Sequence, residues 1–285
     1  SDLGRDDRTA DFDIRGPFDR RESQRVTKNH NGIETIIVLG RTIAAGRFAG
    51  FGEAVLACAR STKPAYICVS GAHPLSLAKA DPDFAAALDG AALIAPDGMP
   101  VKWMLALKGH RGSERVAGPD LAAWLISRAE GEGLPVYFYG GLPDELEDLR
   151  RALAVTHPKL NVVGWESPPM LPVRPHFDAE TAACINASGA KLIFIGLGCP
   201  RQEFWMARHS GAVNGTMVGI GAAFNFLSGR LERAPQVMQS LGLEWLYRLT
   251  QEPRRLLGRY LLHNSRFVWF ALIDLISHWC KRGKN

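Results

Sequence analysis

The ten residues from Gly196 to Trp205, Gly-Leu-Gly-Cys-Pro-Arg-Gln-Glu-Phe-Trp, combine features that suit the binding of an anion. Gly196 and Gly198 carry no Cβ, so a ligand can approach their backbone closely. Pro200 stands where the first turn of a helix would begin, a position that tolerates proline. A helix start offers unpaired N–H groups and a partial positive charge. Arg201 and Gln202 add donors at the same place, completing a cradle for a phosphate or diphosphate. Glu203 follows inside the helix and is expected to face solvent or to orient Arg201. Cys199 is expected to be a small packing residue of the turn. The glycines do not make a dinucleotide fingerprint, because Arg201 stands where the third glycine or alanine should be and no acidic residue follows about 20 positions on.

Asp97 is the first candidate for catalysis. It lies between Pro96 and Gly98, after the apolar run Ala92–Ala95. A carboxylate there could take a proton from an attacking hydroxyl, or cap the helix that begins near Met99; residue type and position favour neither. His73, in Ser70-Gly-Ala-His, could bond a sugar or phosphate or act as a base, and Ser70 could contact a ligand or close a turn. Arg115, in Glu114-Arg-Val-Ala-Gly-Pro-Asp120, could hold an anion or pair with Glu114 or Asp120. Asp120 itself reads as a helix N-cap. Asn225, in Gly221-Ala-Ala-Phe-Asn, could bind a base or ribose, and Arg233 could reach a diphosphate or be solvated. Two Asp-x-Asp pairs, at Asp11/Asp13 and Asp81/Asp83, follow no strand end, so they give little support to a Mg²⁺-dependent sugar-nucleotide site. No metal site is expected.

These residues need a scaffold. Candidate strands are Thr35–Leu39, Ala65–Val69, Ala92–Ala95, Val136–Tyr139, Asn161–Gly164, Lys191–Gly196 and Thr216–Ile220. Helical patterns separate them: Gly52–Arg60, Pro82–Leu88, Pro119–Glu130, Pro143–Val155 and Glu180–Ala187. Strand–helix alternation predicts a mostly parallel α/β sheet of Rossmann-like form with helices on both faces. Ligands of such sheets bind beyond the carboxyl ends of the strands. The segments opening at Ser70, Pro96, Gly196 and Gly221 all stand there and are expected to share one crevice.

The chain has 285 residues, 46% of them hydrophobic, and a net charge of +5. That mild charge fits acidic small molecules, an anionic membrane or nucleic acid without choosing among them. Five scattered cysteines form no C-x-x-C pair, which points to a reducing compartment. Residues 1–30 are rich in Arg and Asp, have no apolar core of a signal peptide, and read as a flexible polar leader. Residues 31–243 are assigned to the catalytic domain and 244–285 to a basic amphipathic appendage. In that appendage Arg248, Arg254, Arg255, Arg259 and Arg266 mix with aromatic and aliphatic residues. Its long helix, expected over Arg254–Trp279, could lie in a membrane interface or pack on protein. The bulk of Phe267, Trp269 and Phe270 tips the reading toward the interface. No run reaches the roughly 20 apolar residues of a membrane span.

Six motifs occur in a fixed order: Pro96-Asp-Gly-Met-Pro100, Glu114-Arg-Val-x-Gly-x-Asp120, Gly196-Leu-Gly-x-Pro-Arg-Gln-Glu203, Gly219-x-Gly-Ala-x-Phe224, Arg233-Ala-Pro235, and Gly242-Leu-Glu-Trp-Leu-Tyr-Arg-Leu249 with Glu252-Pro-Arg254. From about Glu34 to Tyr260 the chain resembles the WecG/TagA/CpsF glycosyltransferases, glycosyltransferase family 26. The resemblance implies an inverting, metal-independent transfer of a sugar from a UDP-sugar to a lipid-linked acceptor, usually on undecaprenyl diphosphate. It implies a peripheral enzyme of the cytoplasmic face of the bacterial inner membrane, its C-terminal appendage closing over the site. No cofactor beyond the UDP-sugar donor and no nucleic-acid partner are expected; a homo-oligomer remains open. Asp97 matches the family's proposed base, Arg201 and Gln202 its donor-pocket motif, and Arg233 with Arg248, Arg254 and Arg255 its late basic segment. Two departures flank the sugar pocket: Val69-Ser-Gly71 replaces Thr-x-Asn, and Asn225 replaces an Asp common in relatives. They argue against an N-acetylmannosamine donor and favour glucose in exopolysaccharide synthesis, with a uronosyl donor as alternative.

Overall fold

The computed structural model describes residues 27–28, 32–61, 63–251 and 253–282. The expected leader lies outside this set apart from Thr27–Lys28. The chain opens with β1 (Thr27–Lys28), β2 (Glu34–Val38) and β3 (Arg41–Ala45), a small antiparallel sheet in that order. There follow α1 (Phe48–Arg60), β4 (Ala65–Ser70), α2 (Ala72–Ala80), α3 (Pro82–Asp89), β5 (Leu93–Pro96), α4 (Gly98–Leu107) and α5 (Gly118–Glu132). Next come β6 (Val136–Gly140), α6 (Pro143–Thr156), β7 (Val162–Glu166), α7 (Ala179–Ala187), β8 (Leu192–Gly196), α8 (Arg201–His209), β9 (Thr216–Gly219) and α9 (Ala223–Leu227). The last elements are α10 (Gln236–Ser240), α11 (Glu244–Gln251) and α12 (Pro253–Arg282).

Six strands pair in parallel in the order β5-β4-β9-β8-β6-β7. Their side chains alternate between two apolar layers, as a pleated strand requires. Ile67, Val69, Phe138, Phe194 and Val218 pack against α1, α5 and α6, while Tyr66, Cys68, Tyr139, Ile195 and Met217 pack against α2, α3 and α8. Burial on both faces explains why these strands read as continuous apolar runs. The Rossmann-like α/β expectation therefore holds.

The first candidate strand differs from the others. It pairs with β3 across a two-residue turn in which Leu39 and Gly40 have φ of 51° and 81°. Left-handed residues at both positions match the twist of a tight hairpin. A leucine there is strained, but its side chain is only 2% exposed and its amide donates to Asp274 Oδ2 at 3.1 Å. Burial and that bond hold the turn.

Asp274 belongs to α12, which docks on the domain. Phe267, Ala271 and Leu275 are buried along one stripe, and Asp274 pairs with the buried Lys108 at 2.6 Å. The bulk of Phe267 thus serves packing. The opposite face stays apolar and exposed: Val268, Trp269, Leu272, Ile273, Ile276 and Trp279. The packing reading therefore describes one face of this helix, and the other is left uncovered by the described residues. Among the described residues no helix is long and apolar enough to cross a membrane.

Candidate active site

The four segments after β4, β5, β8 and β9 line one cavity of about 650 Å³, within the range of small-molecule sites. It brings together His73, Asp97, Gly98, Met99, Arg115, Gly196, Gly198, Arg201, Gln202, Gly221, Asn225 and Arg248. Ser70, Pro200, Arg233 and Arg254 are not on its walls. Ser70 is fully buried; its carbonyl accepts from the Asp97 amide at 3.0 Å and its hydroxyl has no partner among the described residues. Arg254 is exposed, and the side chain of Arg255 lies outside the described set.

Asp97 sits at the N-cap of α4 but makes no side-chain capping bond, so one of its two readings is removed. Burial raises its pKa above the ordinary carboxylate value; Arg115 and Arg248 act against that rise and Glu244 adds to it. The carboxylate is half-buried, lines the cavity, and lies in the field of both arginines. Arg115 does not pair with Glu114, whose carboxylate instead accepts from the Phe48 amide. Arg115 donates to Glu244 at 2.6 Å and Gln239 at 3.2 Å, with Asp120 at 3.6 Å. Asp120 lies within the first turn of α5, which Ala117 opens, so it is not the N-cap. It pairs instead with Arg233 at 2.8 Å. Arg233 and Arg248 each stand 5.5 Å over the ring of Phe226. Two arginines and two carboxylates thus tie α10 and α11 to the first turn of α5.

The glycine turn is tighter than its residue types suggest. A Cβ on Gly196 would come within 2.4 Å of the Phe224 ring, and Gly198 has φ of 75°. The Gln202 amide bonds back to the Gly198 carbonyl at 3.0 Å. Arg201 lines the cavity while donating to the carbonyls of Leu197 and Pro172, both at 3.3 Å. Gln202 is buried: its carbonyl oxygen accepts from the Gly221 amide at 3.0 Å and its Nε2 donates to Glu203 at 3.0 Å. Gln202 therefore joins the β8 and β9 loops. Glu203 is fully buried, which corrects the expectation of a solvent-facing side chain. Burial pushes its pKa up to about 7 against the favourable bond from Gln202. Its burial follows from holding Gln202 in place.

Asn225 lies on α9 at the cavity wall, its Oδ1 buried without a partner among the described residues. Asp81 caps α3 and, with Asp83, pairs with Arg174, so this Asp-x-Asp pair is structural. Sequence reasoning missed Glu244, Trp245, Tyr260 and Asn264, which reach the cavity from the C-terminal segment. Treating that segment as an appendage hid them; the acidic residue inside an arginine-rich stretch was the available signal.

A sequence model of the WecG/TagA/CpsF glycosyl transferase family matches residues 36–281, nearly the whole described chain. The chain belongs to this family. The matched range includes the parallel sheet, the glycine turn, α11 and all but the last residue of α12.

Proposed function

We propose that this glycosyltransferase moves a hexose, with glucose favoured, from a UDP-sugar to a polyprenyl-diphosphate-linked acceptor. The reaction is a single in-line displacement. Asp97 takes the proton of the acceptor hydroxyl, the new C–O bond forms at the anomeric carbon, and the bond to the β-phosphate breaks. UDP leaves toward the start of α8, where N–H groups and arginines meet its charge. The observation that carries this reading is a carboxylate without a side-chain capping bond, in the field of Arg115 and Arg248, on a cavity walled by a glycine turn and helix start. Asn225, with its unpaired Oδ1, suits a hydroxyl-rich sugar or ribose. N-acetylmannosaminyl or uronosyl transfer, and nucleotide-sugar binding without turnover, are the alternatives. A panel of UDP-sugars with a short lipid-linked acceptor, read as released UDP, tests it: release with UDP-glucose above the others supports the proposal, and no release with any donor refutes transfer.

The base assignment makes a prediction about pH. Activity requires ionised Asp97, so it falls as pH drops through the Asp97 pKa. Glu244 raises that pKa and Arg115 lowers it. The acid limb of kcat/KM moves to lower pH in Glu244→Gln and to higher pH in Arg115→Gln. Limbs that do not move, or move in the same direction, contradict the role of Asp97.

The exposed apolar face of α12, with Arg254 and Arg266 exposed on the same helix, suits an anionic membrane interface and a peripheral place on the cytoplasmic leaflet. Replacing Trp269 and Ile276 together with Glu leaves the buried stripe intact and should abolish sedimentation with anionic vesicles. Sedimentation equal to the wild type overturns this placement.

A further inference from the structure

The stripe of α12 that faces the domain changes character along its length. At Phe267, Ala271 and Leu275 it is buried and apolar. One and two turns earlier, at Asn264 and Tyr260, the same stripe passes over the cavity. Asn264 is half-buried and lines the cavity, so its amide puts a donor and an acceptor where the stripe is otherwise apolar. Trp245, from α11, also lines the cavity and meets Tyr260 edge to face, with ring centroids 5.9 Å apart. Trp245 is 41% exposed. This corner is framed by His73 and His263, whose rings lie 4.2 Å apart, and by Ser76, which bonds His263 at 3.2 Å.

We propose that Trp245, Tyr260 and Asn264 form the subsite for the terminal sugar of the acceptor. The inference rests on the glycosyltransferase reading above. Aromatic faces are negative and attract the positive C–H edges of a sugar ring, and an amide can both donate to and accept from neighbouring hydroxyls. Position supports the same assignment. The glycine turn and α8 stand at the carboxyl end of β8, and Asp97 stands at that of β5, across β4 and β9. In an inverting displacement the attacking hydroxyl and the leaving phosphate lie on opposite sides of the anomeric carbon. With the diphosphate at α8, the acceptor enters from the β4–β5 side, which α12 covers through its packing on α2 and α4. On α11, Glu244 and Arg248 share one face one turn apart and belong to the electrostatic surroundings of Asp97, while Trp245, the next residue, meets α12.

The test measures acceptor and donor separately in full-length enzyme. The acceptor is a short-chain prenyl-diphosphate oligosaccharide that supports wild-type UDP release, and UDP binding is followed by calorimetry. Asn264→Ala should raise the acceptor KM about 3- to 10-fold and Trp245→Ala at least as much, with the UDP Kd within about twofold of wild type. An unchanged acceptor KM in Asn264→Ala overturns the subsite, as does a UDP Kd that rises in step with KM. Asn264→Ala carries the decision if Trp245→Ala loosens α11. Absence of UDP release by the wild type with every acceptor is the separate failure of the underlying transferase reading.

Discussion

Asp97→Asn should lower turnover by about 10²- to 10⁴-fold, the usual contribution of a positioned general base. UDP affinity should stay within about twofold of wild type, because the diphosphate is assigned to the start of α8, across β4 and β9 from Asp97. The backbone around the residue has its own anchor, the Asp97 amide donating to the Ser70 carbonyl, and the contact of the Gly98 amide with the carboxylate can be kept by the amide oxygen of Asn. The variant should therefore fold normally. Steady-state kinetics together with calorimetric titration of UDP separates the two quantities. A variant that turns over at the wild-type rate removes Asp97 from catalysis, and one that loses UDP binding as well assigns it to the donor site.

Glu203→Gln should change how stability depends on pH. The Glu203 carboxyl is fully buried and its pKa is raised from 4.5 to about 7. A raised folded-state value means the native state holds its proton more tightly than the unfolded chain does. The stability this supplies is fully present below about pH 4.5 and is lost as pH rises through about 7, a change of about 3 kcal/mol. The glutamine variant keeps an acceptor for Gln202 and has no proton to lose. Its stability relative to wild type should rise by about that amount between pH 4.5 and pH 8 in urea denaturation. Any cost of placing an amide at this site is independent of pH and cancels from the comparison. Parallel pH profiles for the two proteins contradict the buried, proton-holding carboxyl.

Much of the scaffold is legible in the chain because a parallel sheet buried on both faces leaves unbroken apolar runs, such as Lys191–Gly196, each followed by a glycine turn or a helix start. The positions of Asp97, Gly196 and Gly221 follow from that pattern and from the rule for strand ends, and all three reach one cavity. The β2–β3 hairpin was hidden because its turn uses Leu39 where Asn or Asp usually stands, held by the distant Asp274. A bond across 235 positions leaves no local trace. Glu203 was misread for a related reason: a carboxylate after an arginine suggests solvent, and only the packing of Gln202 against Gly221 shows why it is buried. The contribution of Trp245 and Asn264 depends on the return of α11 and α12 to the strand ends, which no local pattern encodes; for Glu244 the one cue was an acidic residue among arginines.

The central claim is a single displacement at the anomeric carbon with Asp97 as base. Proton NMR of the transferred sugar, from an α-linked UDP-hexose donor and a lipid-linked acceptor, tests it most directly. The account predicts a β-linked product from the wild type and a product signal reduced by at least about 10²-fold in Asp97→Asn. An α-linked product from the wild type would contradict it.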